Sequence, residues 1–358
     1  MVIKYIYITE NSKKLAESLC LDTMKGEEID GEKLTGETVS FKEFKKDMKN
    51  IFDNSDFLVF IMAAGIAVRT IAGLLKSKFT DPGIVVMDEY GKNIISLLSG
   101  HIGGANELTE ILAGKTGGNP VITTATDVNK KGSLDMIIKK LGASQENIRE
   151  ISLEINSKIL KGEKINLFVQ KEYMEYIEKY TSGFNIVDSI DEFISELEKS
   201  RLGLSQERFI IITDRADYIE KTDRVSKDAA IKIIPVKNVM GTGCRKSTSS
   251  VLYEKEVLKY LSENNLLIES IGTISSIDIK KNEKCIQDFA DKYGIETKFF
   301  TAEELSKVDG KYEKSDFVKK TVGVYSVAEP SCDLLCGGNI ITDKHKADGI
   351  TISVGRIK

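Results

Sequence analysis

Short apolar runs alternate with amphipathic stretches along the first third of the chain, and no other feature limits the fold so tightly. "IKYIYI" (3–8), "FLVFIMA" (57–63), "GIVVMD" (83–88) and "NIISLLS" (93–99) read as strands, rich in β-branched and aromatic residues. Between them "NSKKLAESLC" (11–20) places Leu15 and Leu19 on one helical face, while "FKEFKKDMKNIF" (41–52) and "GIAVRTIAGLL" (65–75) predict two further helices. "NELTEILAGKTGG" (106–118) predicts a helix stopped by Gly-Gly, and "NPVITTATD" (119–127) a short strand. Such alternation requires a mostly parallel sheet covered by helices. Ligands on such sheets sit outside the carboxyl ends of the strands. The turns at Ala63–Gly65 and Ser99–Gly104 both leave strand carboxyl ends and are expected on one rim.

At 358 residues the chain exceeds one hydrophobic core. Residues 1–130 form the first expected domain. From 131 to 228 charge rises and glycine clusters vanish; helices such as "DSIDEFISELEKS" and the strand "RFIIITDR" (208–215) predict a smaller α/β middle domain without evident chemistry. From 229 to 358 the strand–turn–helix pattern returns, with a glycine turn in "NVMGTGCRKSTSS". The expected fold class is α/β: two terminal α/β domains with mostly parallel sheets, joined by the smaller middle one.

A net charge of −4 argues against a surface built to grip nucleic acid. No run approaches the ~20 apolar residues that cross a bilayer, and the first strand has no signal-peptide pattern. Five cysteines scattered along the chain form no disulfide framework, so a reducing cytoplasm is expected.

Two glycine turns stand out. In "SGHIGGAN" (99–106), Gly100, Gly103 and Gly104 either simply permit a tight turn or present backbone N–H groups at a helix start to a carboxylate or phosphate. His101, one of two histidines, stands in the mouth of that turn, able to exchange a proton near neutral pH; Asn106 and Glu107 open the helix. In "MGTGCRKSTSS" (240–250), Gly241 and Gly243 end a strand, and Arg245 and Lys246 bring two cations to a helix start. This is neither a P-loop, since Arg245 stands where a glycine must precede the lysine, nor a dinucleotide turn, since Lys246 occupies the third glycine position. Cys244 lies beside those cations, which would lower its pKa and suit it to act as a nucleophile, although a buried small residue is the favoured role. Gly65 and Arg69 in "AAGIAVR" are placed to meet an anionic ligand or to face solvent. Cys332 and Cys336, four apart on one helix, read as core, His345 as part of an exposed turn, and Glu329 as a helix cap. No metal cluster is evident.

At this point the blocks "AAGIAVRTIAGLL", "DPGIVVMDEYGKNIISLLSGHIGGANELTEILA", "NPVITTATD", "GTGCRKSTS", "SVAEPSCDLL" and "DKHKADGITISVGRI" resemble, in order, the CbiG family, the cobalt-precorrin-5A hydrolases of anaerobic cobalamin biosynthesis. Ser247 follows "GCRK" where the family commonly has glycine, and Pro330 stands where alanine is usual. The resemblance implies a corrinoid substrate carrying its own cobalt, no protein cofactor, opening of a δ-lactone and loss of acetaldehyde to give cobalt-precorrin-5B. Read through that reaction, His101 is the base with Glu107 in reserve. The N–H groups from Ile102 to Asn106 are oxyanion donors, and Arg69, Arg245 and Lys246 hold carboxylate arms. Gly65, Gly100, Gly103, Gly104, Asn106, Gly241, Gly243 and Cys244 complete the expected binding set, with the terminal domains facing each other over the ring. A non-catalytic tetrapyrrole carrier and another ring-modifying enzyme, such as a methyltransferase, are the rival readings. Transient contact with other enzymes of the pathway and a homodimer are compatible with each.

Overall fold

A computed structural model describes residues 1–29, 31–78, 80–129, 131–143, 147–204 and 207–357. Residues 130 and 358, which end the first and third expected domains, lie outside them. The chain divides into two compact units, Met1–Lys131 and Gly132–Lys358.

In the first unit the elements run β1 (Val2–Tyr7), α1 (Glu10–Thr23), β2 (Thr35–Ser40), β3 (Phe57–Ile61), α2 (Ala64–Ile71), β4 (Gly83–Met87), β5 (Asn93–Leu98), α3 (Ala105–Thr116) and β6 (Asn119–Val121). The sheet order is β2-β1-β3-β4-β5-β6. Every residue of β3 and β4 is buried, as expected of central strands covered on both faces. Side chains alternate across the sheet: Val59, Ile61, Val85 and Met87 pack with α1 and α3, whereas Leu58, Phe60, Ile84 and Val86 pack with Phe44, Ala67 and Ile71 on the other face. The helix expected over 41–52 is two short helices, Phe41–Lys46 and Met48–Asp53, broken at Asp47, whose φ of −129° is not helical. The strand expected over 119–127 stops at Val121, and Ala125–Val128 is a helical turn.

One departure matters for function. β5 runs antiparallel to β4, pairing Ile84 with Leu98 and Met87 with Ile94. The turn that leaves β5 therefore lies at the opposite end of the sheet from the turn that leaves β3. The two glycine turns of this unit do not share a rim.

The second unit holds two sheets. The first contains β7 (Ile165–Val169), β8 (Asn185–Val187), β9 (Arg208–Ile212) and β10 (Ile231–Ile233) in the order β8-β7-β9-β10, all parallel. The second contains β11 (Asn238–Cys244), followed by α4 (Ser250–Glu263), β12 (Ile271–Ile277), α5 (Lys284–Tyr293), β13 (Glu296–Phe300), α6 (Ala328–Cys336), β14 (His345–Ala347) and β15 (Ile350–Arg356). Its order is β13-β12-β11-β15-β14, with β11, β12 and β13 parallel and β15 antiparallel to β11.

A buried polar joint fastens these two sheets. The Asp214 carboxylate, at 0% exposure, accepts at Oδ2 from the Tyr173 hydroxyl at 2.6 Å, Asn238 Nδ2 at 2.7 Å and Arg356 Nη2 at 2.7 Å. Arg356 also donates from Nε to Asn238 Oδ1 and lies over the Tyr173 ring. Burial, then the adjacent Asp214 charge, pushes the Tyr173 hydroxyl far above its ordinary pKa, keeping it a donor. Among the described residues no helix is long and apolar enough to cross a membrane.

Candidate functional site

The turn from Ser99 to Asn106 is held by its own backbone. Ser99 and Gly104 both lie in the left-handed region, with φ of 53° and 75°, a conformation that glycine adopts without strain. At Gly103 a Cβ would fall 2.4 Å from that of Ser99, so the turn closes only without a side chain. Gly104 N–H donates to the His101 carbonyl, Ala105 N–H to Ser99 and Asn106 N–H to Gly100. Three of the five expected oxyanion donors are thus engaged inside the turn, and Ile102 and Gly103 carry the N–H groups left for a ligand. The Asn106 side chain is buried and accepts a hydrogen bond from the Ser96 hydroxyl at Oδ1 (2.6 Å), while its Nδ2 donates to Thr124 Oγ1 (3.2 Å). It clamps the turn from beneath. His101 is half-buried, its Nε2 3.1 Å from the Thr126 hydroxyl, a neighbour that local pattern did not point to. Glu107 is half-buried in the first turn of α3.

At the other rim the carboxyl ends of β1, β3 and β4 open onto a cavity of about 480 Å³ lined by Ile8, Thr9, Met62, Ala63, Met87 and Glu89, among others. This is where a doubly covered sheet places its ligands. Ala63 caps α2 without a side-chain hydrogen bond, so the first N–H groups of that helix are left for a partner. Arg69 lies one turn on. Its guanidinium folds back until Nη2 would be 3.1 Å from a Cβ on Gly65, because helical side chains lean towards the N-terminus. Glu89, half-buried, accepts from Thr9 Oγ1 at 2.8 Å. Burial acts to raise the Asp88 carboxyl, and backbone hydrogen bonds from Asn93, Lys92 and Tyr90 outweigh it, leaving its pKa below the ordinary carboxylate value. Thr9, Asp88 and Glu89 had no place among the expected residues. The signal for them was their position just after strand ends.

In the second unit Gly241 and Gly243 lie within β11 rather than in the turn. A Cβ on Gly241 would fall 1.9 Å from the Ala328 carbonyl oxygen, so this buried glycine lets α6 rest on the sheet. Arg245 and Lys246 are exposed, and α4 opens only at Ser250, beyond them. Arg245 N–H donates to the Gly349 carbonyl. The Cys244 thiol is indeed lowered, but by its hydrogen bond with Cys285 first; burial opposes this and Lys280 adds to it. Cys332 and Cys336 are buried against the sheet. His345 is not in an exposed turn: it lies in β14, half-buried, with Nε2 3.2 Å from Glu256 Oε2 and its ring beside Tyr260. Glu329 accepts from Ser326 Oγ and Lys344 Nζ.

The sequence marks a cobalamin synthesis G protein: residues 46–127 match the family model described as "Cobalamin synthesis G N-terminal", and residues 238–355 match "Cobalamin synthesis G C-terminus". The chain is 35% identical over 313 residues to the cobalt-precorrin-5A hydrolase of Salmonella typhimurium, spanning 87% of this chain and 85% of that one. It is 31% identical to the cobalt-precorrin-5A hydrolase of Priestia megaterium over 87% of this chain and 81% of that one. To the probable cobalt-precorrin-5A hydrolase of Methanocaldococcus jannaschii it is 29% identical over 99% and 98% of the two chains. This chain belongs to the cobalt-precorrin-5A hydrolase family.

Proposed function

We propose that this chain opens the δ-lactone of cobalt-precorrin-5A and releases acetaldehyde, giving cobalt-precorrin-5B. The reading is carried by 35% identity across 87% of the chain to a relative of that name. Water adds to the lactone carbonyl, and the ring opens to a carboxylate and a hydroxyl. Loss of that hydroxyl proton then drives carbon–carbon cleavage. Acetaldehyde leaves, and the bonding pair passes into the conjugated ring, which later takes up a proton. The substrate is its own electron sink, and its cobalt travels with it.

The protein's part is to supply a base, stabilise the oxyanion and hold carboxylate arms. In the first assignment His101 is the base, Glu107 stands in reserve, and the Ile102 and Gly103 N–H groups receive the oxyanion. Arg245 and Lys246 hold arms, whereas Arg69, on the helix that leaves the opposite end of the sheet, goes with the second assignment. A second assignment is favoured by the cavity at the carboxyl rim, which is at the other end of the sheet from His101: there Glu89 is the base, the first N–H groups of α2 meet the oxyanion, and Arg69 takes a neighbouring arm. The three-part organisation 1–130, 131–228 and 229–358 belongs to the same proposal.

Incubation of the purified chain with cobalt-precorrin-5A and trapping of the volatile aldehyde tests the reaction; binding without aldehyde would make the chain a carrier. His101→Gln and Glu89→Gln separate the assignments. The variant that has lost its base should release aldehyde at least 100-fold more slowly, while the other stays near the parent rate. If neither changes the rate, both assignments are wrong.

A further inference from the structure

Beside the GTGCRK turn lies a side-chain cluster that the proposed reaction does not use. Cys244 ends β11, Glu283 is the residue that precedes α5, and Cys285 stands in the first turn of α5. The two Sγ atoms are 3.7 Å apart. One ligand atom from each of the three residues falls within 4.8 Å of the others. Two thiolates bound to one tetrahedral ion through bonds of about 2.3 Å are separated by about 3.8 Å. The spacing already present is therefore that of a shared edge of such a site.

We propose that Cys244, Glu283 and Cys285 bind a thiophilic divalent cation of the zinc class, with water in the fourth position. Cys285 is buried, while Cys244 and Glu283 are half-buried and so reachable from solvent. Two soft thiolates with one carboxylate select zinc over magnesium or calcium, which take oxygen ligands. Two thiolates and a carboxylate around a divalent ion leave a surplus negative charge, which nearby lysines offset. Glu283 Oε1 is 2.9 Å from Lys280 Nζ, and Glu283 Oε2 accepts the Ser247 N–H at 3.1 Å, contacts that orient the carboxylate and leave each oxygen a further lone pair. Lys246 adds a second nearby positive charge. Binding replaces two S–H bonds with two metal–thiolate bonds and releases two protons, with no redox step. The bound ion would tie together the end of β11, the turn at Ser247 and the start of α5. That would stiffen the loop that carries Arg245 and Lys246, whatever reaction the chain catalyses.

The test uses the full-length chain, reduced, stripped with a chelator and titrated with cobalt(II). The expected result is a thiolate-to-cobalt charge-transfer band with the visible bands of a tetrahedral ion, saturating at one ion per chain and bleached by zinc. Zinc should also raise the melting temperature. Cys285→Ser should abolish the charge-transfer band, and Glu283→Gln should weaken zinc binding at least tenfold. Cys336→Ala, which alters the other close cysteine pair, should change neither. Should Cys285→Ser fail to fold, Glu283→Gln and the parent titration still decide. The proposal is overturned by a parent chain without the band, by a band that survives Cys285→Ser, or by zinc affinity unchanged in Glu283→Gln. It is equally overturned if the chain as purified holds a Cys244–Cys285 disulfide and takes up no metal after reduction.

Discussion

Ser247 is the strained residue of the GTGCRK turn. Its φ of 58° puts an L side chain in the left-handed region, which costs about 1–2 kcal/mol relative to ordinary backbone. What the turn uses is the Ser247 N–H, which donates to Glu283, and glycine keeps that donor. Ser247→Gly should therefore raise stability by about 0.5–1 kcal/mol, after the added freedom of glycine in the unfolded chain is subtracted. A urea midpoint followed by circular dichroism measures it, and a lowered midpoint would show that the hydroxyl outweighs the strain. The resemblance to the family implied glycine at this position; the reason for it, a positive φ, was not readable from the sequence. Cys244 shows the same limit. Its lowered pKa was expected from Arg245 and Lys246, whereas the structure assigns it first to Cys285 and then to Lys280. Those residues lie about 40 positions away, and local pattern cannot bring them together.

Elements explain why two similar glycine turns do different work. Around Ser99–Asn106 the glycines shape a turn at a helix start, as "SGHIGGAN" implied. In β11 the pattern "MGTGC" was read as a second such turn, yet Gly241 is there so that α6 can approach the strand. A glycine before a cation has the same appearance in either case, because the element that demands the space, residues 328–336, comes almost 90 positions later. Gly241→Ala should push α6 away from β11 and cost more than about 2 kcal/mol, measured by chemical denaturation. A loss below about 0.5 kcal/mol would mean that α6 shifts freely, and the packing argument would fall. The rim assignment failed for a reason that was visible. Between Met87 and Asn93 there are too few residues for the crossover of a dozen or more that parallel neighbours require. A five-residue link can only make a hairpin. That inverts β5 and sends the His101 turn to the far end of the sheet.

At the scale of the molecule, the α/β class and the positions of most strands along the chain were readable, since both follow from local hydrophobic period. The role of the middle segment was not. Residues 131–228 carry no motif, but Tyr173 and Asp214 from that segment meet Asn238 and Arg356 from the C-terminal sheet inside one buried polar cluster. Asp214 and Arg356 are 142 positions apart, and each alone resembles an ordinary surface charge. Their burial turns them into an obligate pair. Removing one partner leaves the other charged and poorly solvated, a loss that in proteins amounts to about 3–5 kcal/mol, whereas replacing both with apolar residues of similar volume is far milder. Asp214→Ala should thus destabilise the 132–358 unit by roughly that amount, since it also deprives the Tyr173 hydroxyl and the Asn238 amide of their acceptor. Asp214→Leu combined with Arg356→Met should recover much of the loss. Both are read from urea unfolding by circular dichroism, as the chain contains no tryptophan. If the double variant is as unstable as Asp214→Ala, the joint works through hydrogen bonds to Tyr173 and Asn238 rather than through its ion pair. If Asp214→Ala is near neutral, the two sheets are held by apolar packing alone, and the middle segment needs another reason for its place beside the C-terminal sheet.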